Sequence, residues 1–430
     1  MKKAAFYTLG CKVNQVDTEQ IKEAFLKQGY QVVDFNEAAD IYVINTCTVT
    51  HVSDRKSRAV IRRAARRNPL AQIVVTGCLA QADPDQIKAI PGVSMVVDNQ
   101  DKERIPDLVG GTVKGDADGV FASLAPVLFT SRHERTRAFI KIEDGCHSYC
   151  SYCIVPYTRG PVRSKRPEHV QAELQRLVEL GYREIVLTGI HTGLYGYDLK
   201  NINLTELLKQ LLGEVDGDYR IRLSSIEPLE ICPALLQLVQ QEPRICRHFH
   251  VPLQSGSDAV LKAMNRRYNG QYYRDLILEI SKRIPGVGLS ADVMVGFPGE
   301  SQQDFQATYD LLAELPLLDL HVFKYSRREG TPAALMKGQI DEGVKQERSQ
   351  ALLQLARDKH LQRLENSCGQ MLRVLVEQRI QAQTYTGLSD NYIEVRWDSS
   401  RDLRGEFAKV RIIGQEQGVA MGCVDDVPAH

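Results

Sequence analysis

Six of the ten cysteines in this 430-residue chain fall into two groups whose spacing could do chemistry. Cys146, Cys150 and Cys153 stand in the run Gly145-Cys146-His147-Ser148-Tyr149-Cys150-Ser151-Tyr152-Cys153, a C-x3-C-x2-C pattern. Three thiolates that close on one loop can hold three irons of a four-iron cube, because such clusters need their sulfur ligands on one concave surface. The fourth iron then has no protein ligand, and an open metal position is where a small molecule binds and reacts. A zinc knuckle completed by His147 is the competing use of such a run. Cys11, Cys47 and Cys78 are 31 to 36 residues apart, and each follows directly on a strand-like stretch. In an open α/β sheet the carboxyl ends of the strands face one crevice, so this placement brings the three thiols together in space. Three ligands again leave one iron open, and such a cluster could bind or donate sulfur. Three buried core thiols are the plain alternative. Cys232, Cys246, Cys368 and Cys423 show no metal spacing and read as core or incidental positions.

The elements that must carry these residues divide the chain. Residues 1–110 alternate β-branched strands (4–9, 31–35, 41–45, 73–76 and 94–97) with helical stretches (17–28 and 53–67), which predicts an N-terminal doubly wound α/β domain. Residues 111–131 mix Gly, Asp, Ala and Ser without periodicity and read as a linker. Residues 132–366 resume the alternation on a longer repeat, with six strand-like segments. That predicts an incomplete (β/α)6 barrel closed by a long helix over 341–365. Residues 367–430 read as a small all-β barrel with strands at 371–376, 392–395, 407–413 and 419–421.

With these parts in place, the C-x3-C-x2-C run at the end of the first barrel strand, with aromatic Tyr152 before its last cysteine, resembles the radical S-adenosylmethionine superfamily signature. The resemblance implies that the open iron chelates S-adenosylmethionine and that one electron cleaves it to a 5′-deoxyadenosyl radical. All three domains together resemble the methylthiotransferase family of radical S-adenosylmethionine enzymes, with a C-terminal TRAM-like module. The family replaces an unactivated C–H with C–S–CH3. It implies two 4Fe-4S clusters, one on Cys146, Cys150 and Cys153 and one on Cys11, Cys47 and Cys78, with S-adenosylmethionine as radical source and methyl donor. Gly10-Cys11-Lys12-Val13-Asn14-Gln15 is similar to the branch acting on N6-threonylcarbamoyladenosine at tRNA position 37. Branches acting on isopentenyladenosine in tRNA, or on an aspartate of a ribosomal protein, are the alternatives, as is a non-catalytic RNA-binding protein with structural clusters. By the same resemblance Tyr152, Gly189, Ser225, Glu227, Gln254 and Asp292 line the S-adenosylmethionine pocket. The usual Gly-Gly-Glu after the second barrel strand is replaced by Thr188-Gly189-Ile190-His191. The implied partners are the anticodon loop of tRNA, an electron donor such as flavodoxin or ferredoxin, and a sulfur source.

Lysine plus arginine equal aspartate plus glutamate at 54 each, so an RNA partner must rest on local patches. Residues 54–68 supply one, with Arg55, Lys56, Arg58, Arg62, Arg63, Arg66 and Arg67 against a single acid. Arg159, Arg163, Lys165 and Arg166 after the cysteine loop invite the same reading, as do Arg373, Arg396, Arg401, Arg404 and Arg411. A solvated helix face is the ordinary role of such runs. No apolar stretch approaches the roughly 18–20 residues of a membrane span, and the first residues run into a strand without a signal-peptide core. A cytoplasmic protein without a disulfide framework is the expectation.

Overall fold

A computed structural model describes residues 1–111 and 136–424. Most of the expected linker, and the last six residues of the chain, lie outside the described residues. The N-terminal region forms one parallel sheet of β1 (Lys3–Thr8), β2 (Gln31–Val33), β3 (Ile41–Thr46), β4 (Gln72–Gly77) and β5 (Val93–Val96), in the order β2-β1-β3-β4-β5. Every residue of β3 is buried, because helices cover both faces. Ile41 and Val43 pack against Ile21 and Phe25 of the Lys12–Lys27 helix, whereas Tyr42 and Ile44 pack against Val60, Ile61 and Ala64 of the His51–Arg67 helix. The second helix begins where the Thr50 side chain accepts a hydrogen bond from Ser53 N, a cap that satisfies one of its free amides.

The barrel strands are β6 (Arg137–Lys141), β9 (Glu184–Thr188), β10 (Arg220–Leu223), β11 (His248–His250), β12 (Gly288–Val295) and β13 (Asp319–Lys324). Two short strands, β7 (Glu143–Asp144) and β8 (Arg163–Ser164), pair antiparallel and pinch the base of the cysteine loop. The parallel sheets β10-β9-β6 and β11-β12-β13 are joined by bridges from Ile221 to Ile245 and from Ser225 to His250. Among the described residues β6 and β13 do not pair, so the barrel is open along that edge. The Lys12–Lys27 helix packs against β6 there. The core is aliphatic, with Leu174, Leu177, Leu207, Leu211, Leu235 and Ile277 facing strand residues such as Ile185, Leu187 and Ile221.

The C-terminal region is a closed barrel of β14 (Met371–Arg379), β15 (Thr384–Ser389), β16 (Glu394–Asp398), β17 (Phe407–Glu416) and β18 (Val419–Cys423), in the order β14-β15-β16-β18-β17. β15 is absent from the sequence expectation, because Thr384-Tyr385-Thr386-Gly387-Leu388-Ser389 is polar and carries a glycine that reads as a turn. The glycine answers a packing need: a Cβ at Gly387 would lie 2.1 Å from Leu375 O across the ladder.

Charge fastens this small barrel to the large one. Glu184, fully buried, accepts hydrogen bonds from Arg220 Nε (2.7 Å) and Arg222 Nε (2.7 Å). The same guanidiniums donate to Leu388 O and Ser389 O at the end of β15 and to Asp390 O just beyond it, at 2.7–3.0 Å. Tyr392 stacks on His248 with ring centroids 4.3 Å apart. Burial alone would raise the Glu184 carboxyl, but Arg222 and Arg220 beside it outweigh that and hold it at about 2. A carboxylate below its ordinary 4.5 contributes stability that is present above pH 4.5 and lost as pH falls through about 2. Glu184→Gln strands two buried guanidiniums and is expected to cost about 3–5 kcal/mol at neutral pH, read as a lower urea midpoint. The variant should also lack the wild-type loss of stability between those pH values; an unchanged midpoint at pH 7 would refute the role given to this carboxylate.

Candidate active site

Cys11, Cys47 and Cys78 lie at the carboxyl ends of three adjacent strands. Register places Thr8 of β1 beside Asn45 of β3, and Thr46 of β3 beside Gly77 of β4, so the residues just beyond share one rim. Two of the three cysteines follow a glycine that the close packing demands. A Cβ on Gly10 (φ +99°) would lie 2.9 Å from Cys47 Sγ, and one on Gly77 (φ +96°) would lie 2.3 Å from Thr46 O. Asn14, one turn into the helix after Cys11, donates to Leu9 O (2.7 Å) and Thr46 O (3.0 Å) and thereby ties two of the strand ends. Burial pushes the Cys47 thiol up, and the nearby charges of Cys78 and Cys11 push it further.

Cys146, Cys150 and Cys153 occupy the loop between β7 and β8. Ser148 N donates to Cys146 Sγ (3.4 Å), and Arg266 Nη1 donates to Cys150 Sγ (3.4 Å) while Arg266 pairs with Glu227 (2.9 Å). His191 Nδ1 lies 3.4 Å from Cys146 Sγ, and its Nε2 lies 2.5 Å from Glu230 Oε1. Burial opposes the charge on His191, but the hydrogen bonds to Cys146 and Glu230 prevail and raise the imidazole to about 11. Burial alone would raise Cys146, yet the His191 hydrogen bond and charge reverse the sign and lower it. Cys153 has no such partner, and burial followed by the charge of Cys150 raises it to about 12.

Three thiols in each set are the donor type an iron cube takes, with one iron left without a protein ligand. Among the described residues, three potential ligand atoms lie mutually within 4.8 Å at His250, Asp292 and His321 and at neither cysteine trio. A zinc tetrahedron with Zn–S near 2.3 Å would need sulfurs about 3.8 Å apart, closer than either trio as a whole stands here. Buried thiols that raise one another are costly as bare anions, a cost that bound cationic iron removes. Near the barrel trio two buried carboxylate oxygens, Glu143 Oε1 and Glu230 Oε2, have no hydrogen-bond partner among the described residues. Both suit a ligand ammonium group. Glu143 Oε2 meanwhile accepts from His191 N (2.7 Å) and presses on Gly189, where a Cβ would lie 2.6 Å away. An acid from β7 therefore stands where the Thr188-Gly189-Ile190-His191 segment supplies none.

The two trios lie on neighbouring elements. The Cys78–Ala82 helix packs against the Val155–Arg159 helix, which begins two residues after Cys153. Arg159 Nη1 pairs with Asp144 (2.8 Å), and its Nη2 donates to Asn14 Oδ1. Asp17 pairs with Lys102 (2.6 Å) and Lys141 (2.5 Å). A second tie runs from Arg328 Nη2, which pairs with Asp54 (2.6 Å) and donates to Thr48 Oγ1 (2.6 Å) just after Cys47.

The other sequence-selected residues lie around the barrel mouth. Tyr152 packs with Met294, Phe297 and Tyr325 under the cysteine loop. Ser225 bridges to His250, and Gln254, at φ +68°, is bridged to Val293 and accepts from Met294 N. Asp292 instead joins a group that the sequence reading missed: its Oδ1 lies 2.9 Å from His250 Nε2 and 3.2 Å from His321 Nδ1. Period-two placement puts His248 and His250 of β11 on one side, and the β12–β13 register sets His321 beside Asp292. The basic surfaces also need correction. Arg159 (2% exposed) and Lys165 (fully buried, paired with Glu173) are internal ion-pair members, unavailable to RNA phosphates. Arg58 pairs with Asp83, and Arg63 lies over Tyr7 and Phe35, whereas Arg55, Lys56, Arg62, Arg66 and Arg67 stay exposed. Among the described residues no helix is long and apolar enough to cross a membrane.

Comparison with known proteins extends this geometry. Residues 3–98 match the family described as Uncharacterized protein family UPF0004, and residues 140–312 match the Radical SAM superfamily. The chain is 43% identical to threonylcarbamoyladenosine tRNA methylthiotransferase MtaB of Bacillus subtilis, covering 96% of this chain and 94% of that one. It is 36% identical to tRNA-2-methylthio-N(6)-dimethylallyladenosine synthase of Pelotomaculum thermopropionicum, covering 88% and 87%. Among solved structures, the radical S-adenosylmethionine methyltransferase TsrM of Kitasatospora setae superposes with a TM-score of 0.58 at 14% identity, over 78% of this chain and 77% of that one, a likeness of fold.

The Cys146–His191–Glu230 chain makes a prediction for the metal-free protein. With His191→Ala, only the Ser148 hydrogen bonds still oppose the effect of burial on Cys146, so its pKa rises and less thiolate is present at pH 8. Iodoacetamide alkylation of Cys146, followed by mass spectrometry across pH, should slow and shift to higher pH. A profile identical to wild type would remove His191 from this role.

Proposed function

The chain belongs to the tRNA methylthiotransferase family of radical S-adenosylmethionine enzymes, and we propose that it attaches a methylthio group to carbon 2 of N6-threonylcarbamoyladenosine at position 37 of tRNA. The observation that carries the reading is the adjacency of two cysteine trios, one on the sheet rim and one on the barrel loop, with packed helices between them. The higher identity to the threonylcarbamoyladenosine enzyme than to the dimethylallyladenosine enzyme favours this nucleoside.

In this reading Cys146, Cys150 and Cys153 hold the 4Fe-4S cluster that works with S-adenosylmethionine, and Cys11, Cys47 and Cys78 hold a second one. Bound there, the first cluster would pass the electron that turns S-adenosylmethionine into a radical source for hydrogen abstraction, and the second would supply sulfur, with the methyl coming from a further S-adenosylmethionine. The chain's own residues bind and orient. Glu143 and Glu230 offer carboxylate oxygens to the ammonium of S-adenosylmethionine, and Arg266 and Glu227 hold the loop side of its pocket. Gly189, Ser225, Gln254 and Asp292 shape the mouth, and Tyr152 supports the loop from beneath. The packed Cys78–Ala82 and Val155–Arg159 helices wall one side of the space between the trios, where a radical must be protected from water. The exposed arginines of the His51–Arg67 helix meet RNA phosphates, and an unstacked anticodon-loop base turns into the site. A cytoplasmic electron donor of the flavodoxin or ferredoxin kind and a sulfur source complete the cycle.

Deleting the gene should abolish 2-methylthio-N6-threonylcarbamoyladenosine in total tRNA, and re-expressing the wild-type chain, but not Cys47→Ala, should restore it. Unchanged tRNA nucleosides would refute the assignment, and loss of the isopentenyl product instead would move the chain to that branch. Anaerobically reconstituted protein should carry about eight irons per chain, falling to about four in a Cys11→Ala, Cys47→Ala, Cys78→Ala variant. About four irons in the wild type would exclude the second cluster.

A further inference from the structure

Strands β11, β12 and β13 send alternate residues to opposite sides. Phe249, Leu289, Ala291, Val293 and Leu320 pack into the aliphatic core with helix residues such as Ile277 and Leu312. His250, Ser290, Asp292, Asp319 and His321 therefore share the other side, which faces the barrel's interior. Register sets His250 beside Ser290, Ser290 beside Asp319, and Asp292 beside His321. Asp292 Oδ1 stands 2.9 Å from His250 Nε2 and 3.2 Å from His321 Nδ1, and the three atoms all lie within 4.8 Å of one another. Metal–nitrogen bonds of about 2.0–2.1 Å set neighbouring donor atoms about 2.9–3.4 Å apart, so two of the three spacings already match ligands of one ion.

The outer nitrogens of both imidazoles are braced in the way metal-bound histidines are. His250 Nδ1 lies 3.0 Å from Ser290 Oγ, and His321 Nε2 lies 3.6 Å from Asp319 Oδ2. An ordinary ion pair does not account for the inner side. His250 Nε2 is buried and, although close to the Asp292 carboxylate, makes no aligned hydrogen bond among the described residues. A nitrogen so near a carboxylate oxygen, yet off the line of a hydrogen bond, is placed as two ligands of one cation are. We propose that His250, Asp292 and His321 bind one divalent first-row transition-metal cation, using none of the cysteines. Two imidazoles and one carboxylate on one face suit ferrous, manganous and zinc ions and leave further positions open. The His321 side chain is 46% exposed, so water or a carboxylate or carbonyl oxygen can reach those positions. Binding displaces the proton that hydrogen bonds to Asp292 and Asp319 stabilise on His321, whose imidazole they raise to about 9. The attraction of the same two carboxylates for the cation offsets that cost.

The test adds Mn2+ to anaerobically reconstituted holoenzyme and follows the ion by electron paramagnetic resonance. Wild type should bind one Mn2+ per chain at this site, with nitrogen hyperfine coupling from coordinated imidazole. Asp292→Asn keeps the side-chain shape, and His321→Ala changes the exposed member of the group. Each should weaken that binding at least about tenfold, the smallest loss typical even of residues that only support a ligand. His321→Ala should also lose part of the nitrogen coupling. A wild type without imidazole-coordinated Mn2+ at millimolar concentration would overturn the proposal, however the variants fold. Wild-type affinity and nitrogen coupling in either variant would overturn it too, by placing the ion elsewhere. The signal read is the metal's own, so the result stands apart from whether the chain methylthiolates tRNA.

Discussion

Asp17, Lys102, Lys141, Asp144 and Arg159 come from separate segments and meet with almost no solvent contact where the N-terminal sheet rests on the barrel. Taking five charges out of water costs several kcal/mol for each, and is tolerated only when the pairing geometry is good. A slip between the two domains would leave a buried charge unpaired, at about 3–5 kcal/mol. The arrangement therefore favours one register, the register that sets the sheet-rim cysteines beside the barrel cysteines. The set is also unbalanced, with three cations against two carboxylates, and Arg159 feels Asp144 first and then the sulfurs of Cys78 and Cys11. The surplus positive charge thus lies near the sulfurs of Cys78 and Cys11.

The barrel has an opposite need at its far end. With six strands and an unpaired edge it cannot fill its own interior with aliphatic layers as a closed eight-stranded barrel does. Many of the inward side chains are polar instead, and two groups are answered from outside the barrel: Glu184 and its arginines by carbonyls at the end of β15, Lys141 by Asp17. Both neighbours complete the barrel's hydrogen bonding, which explains how a partly open barrel tolerates so many buried ions.

The fold was legible in the sequence where periodicity was clean. The β-branched runs before Cys11, Cys47 and Cys78 marked parallel strands, and the regular strand–helix spacing from residue 137 onward marked the barrel. β15 was hidden because its glycine serves a close backbone approach rather than a turn. Among the candidate site residues the cysteines were picked out by spacing, whereas Glu143, Glu230, His250 and His321 were not. Each acts through a contact made across strands or loops distant in sequence, as with His191 and Glu230, which sequence spacing cannot encode. Arg159 and Lys165 misled for a related reason: a basic run looks the same whether it faces RNA or a buried carboxylate.

The rivets between Glu184, Arg220, Arg222 and the β15–β16 turn carry a mechanical implication. They fix the small barrel to the floor of the large one, so any ligand resting on the former is held at a set depth from the mouth of the latter. The C-terminal module is thereby built into the base of the large barrel as a fixed part instead of a swinging arm.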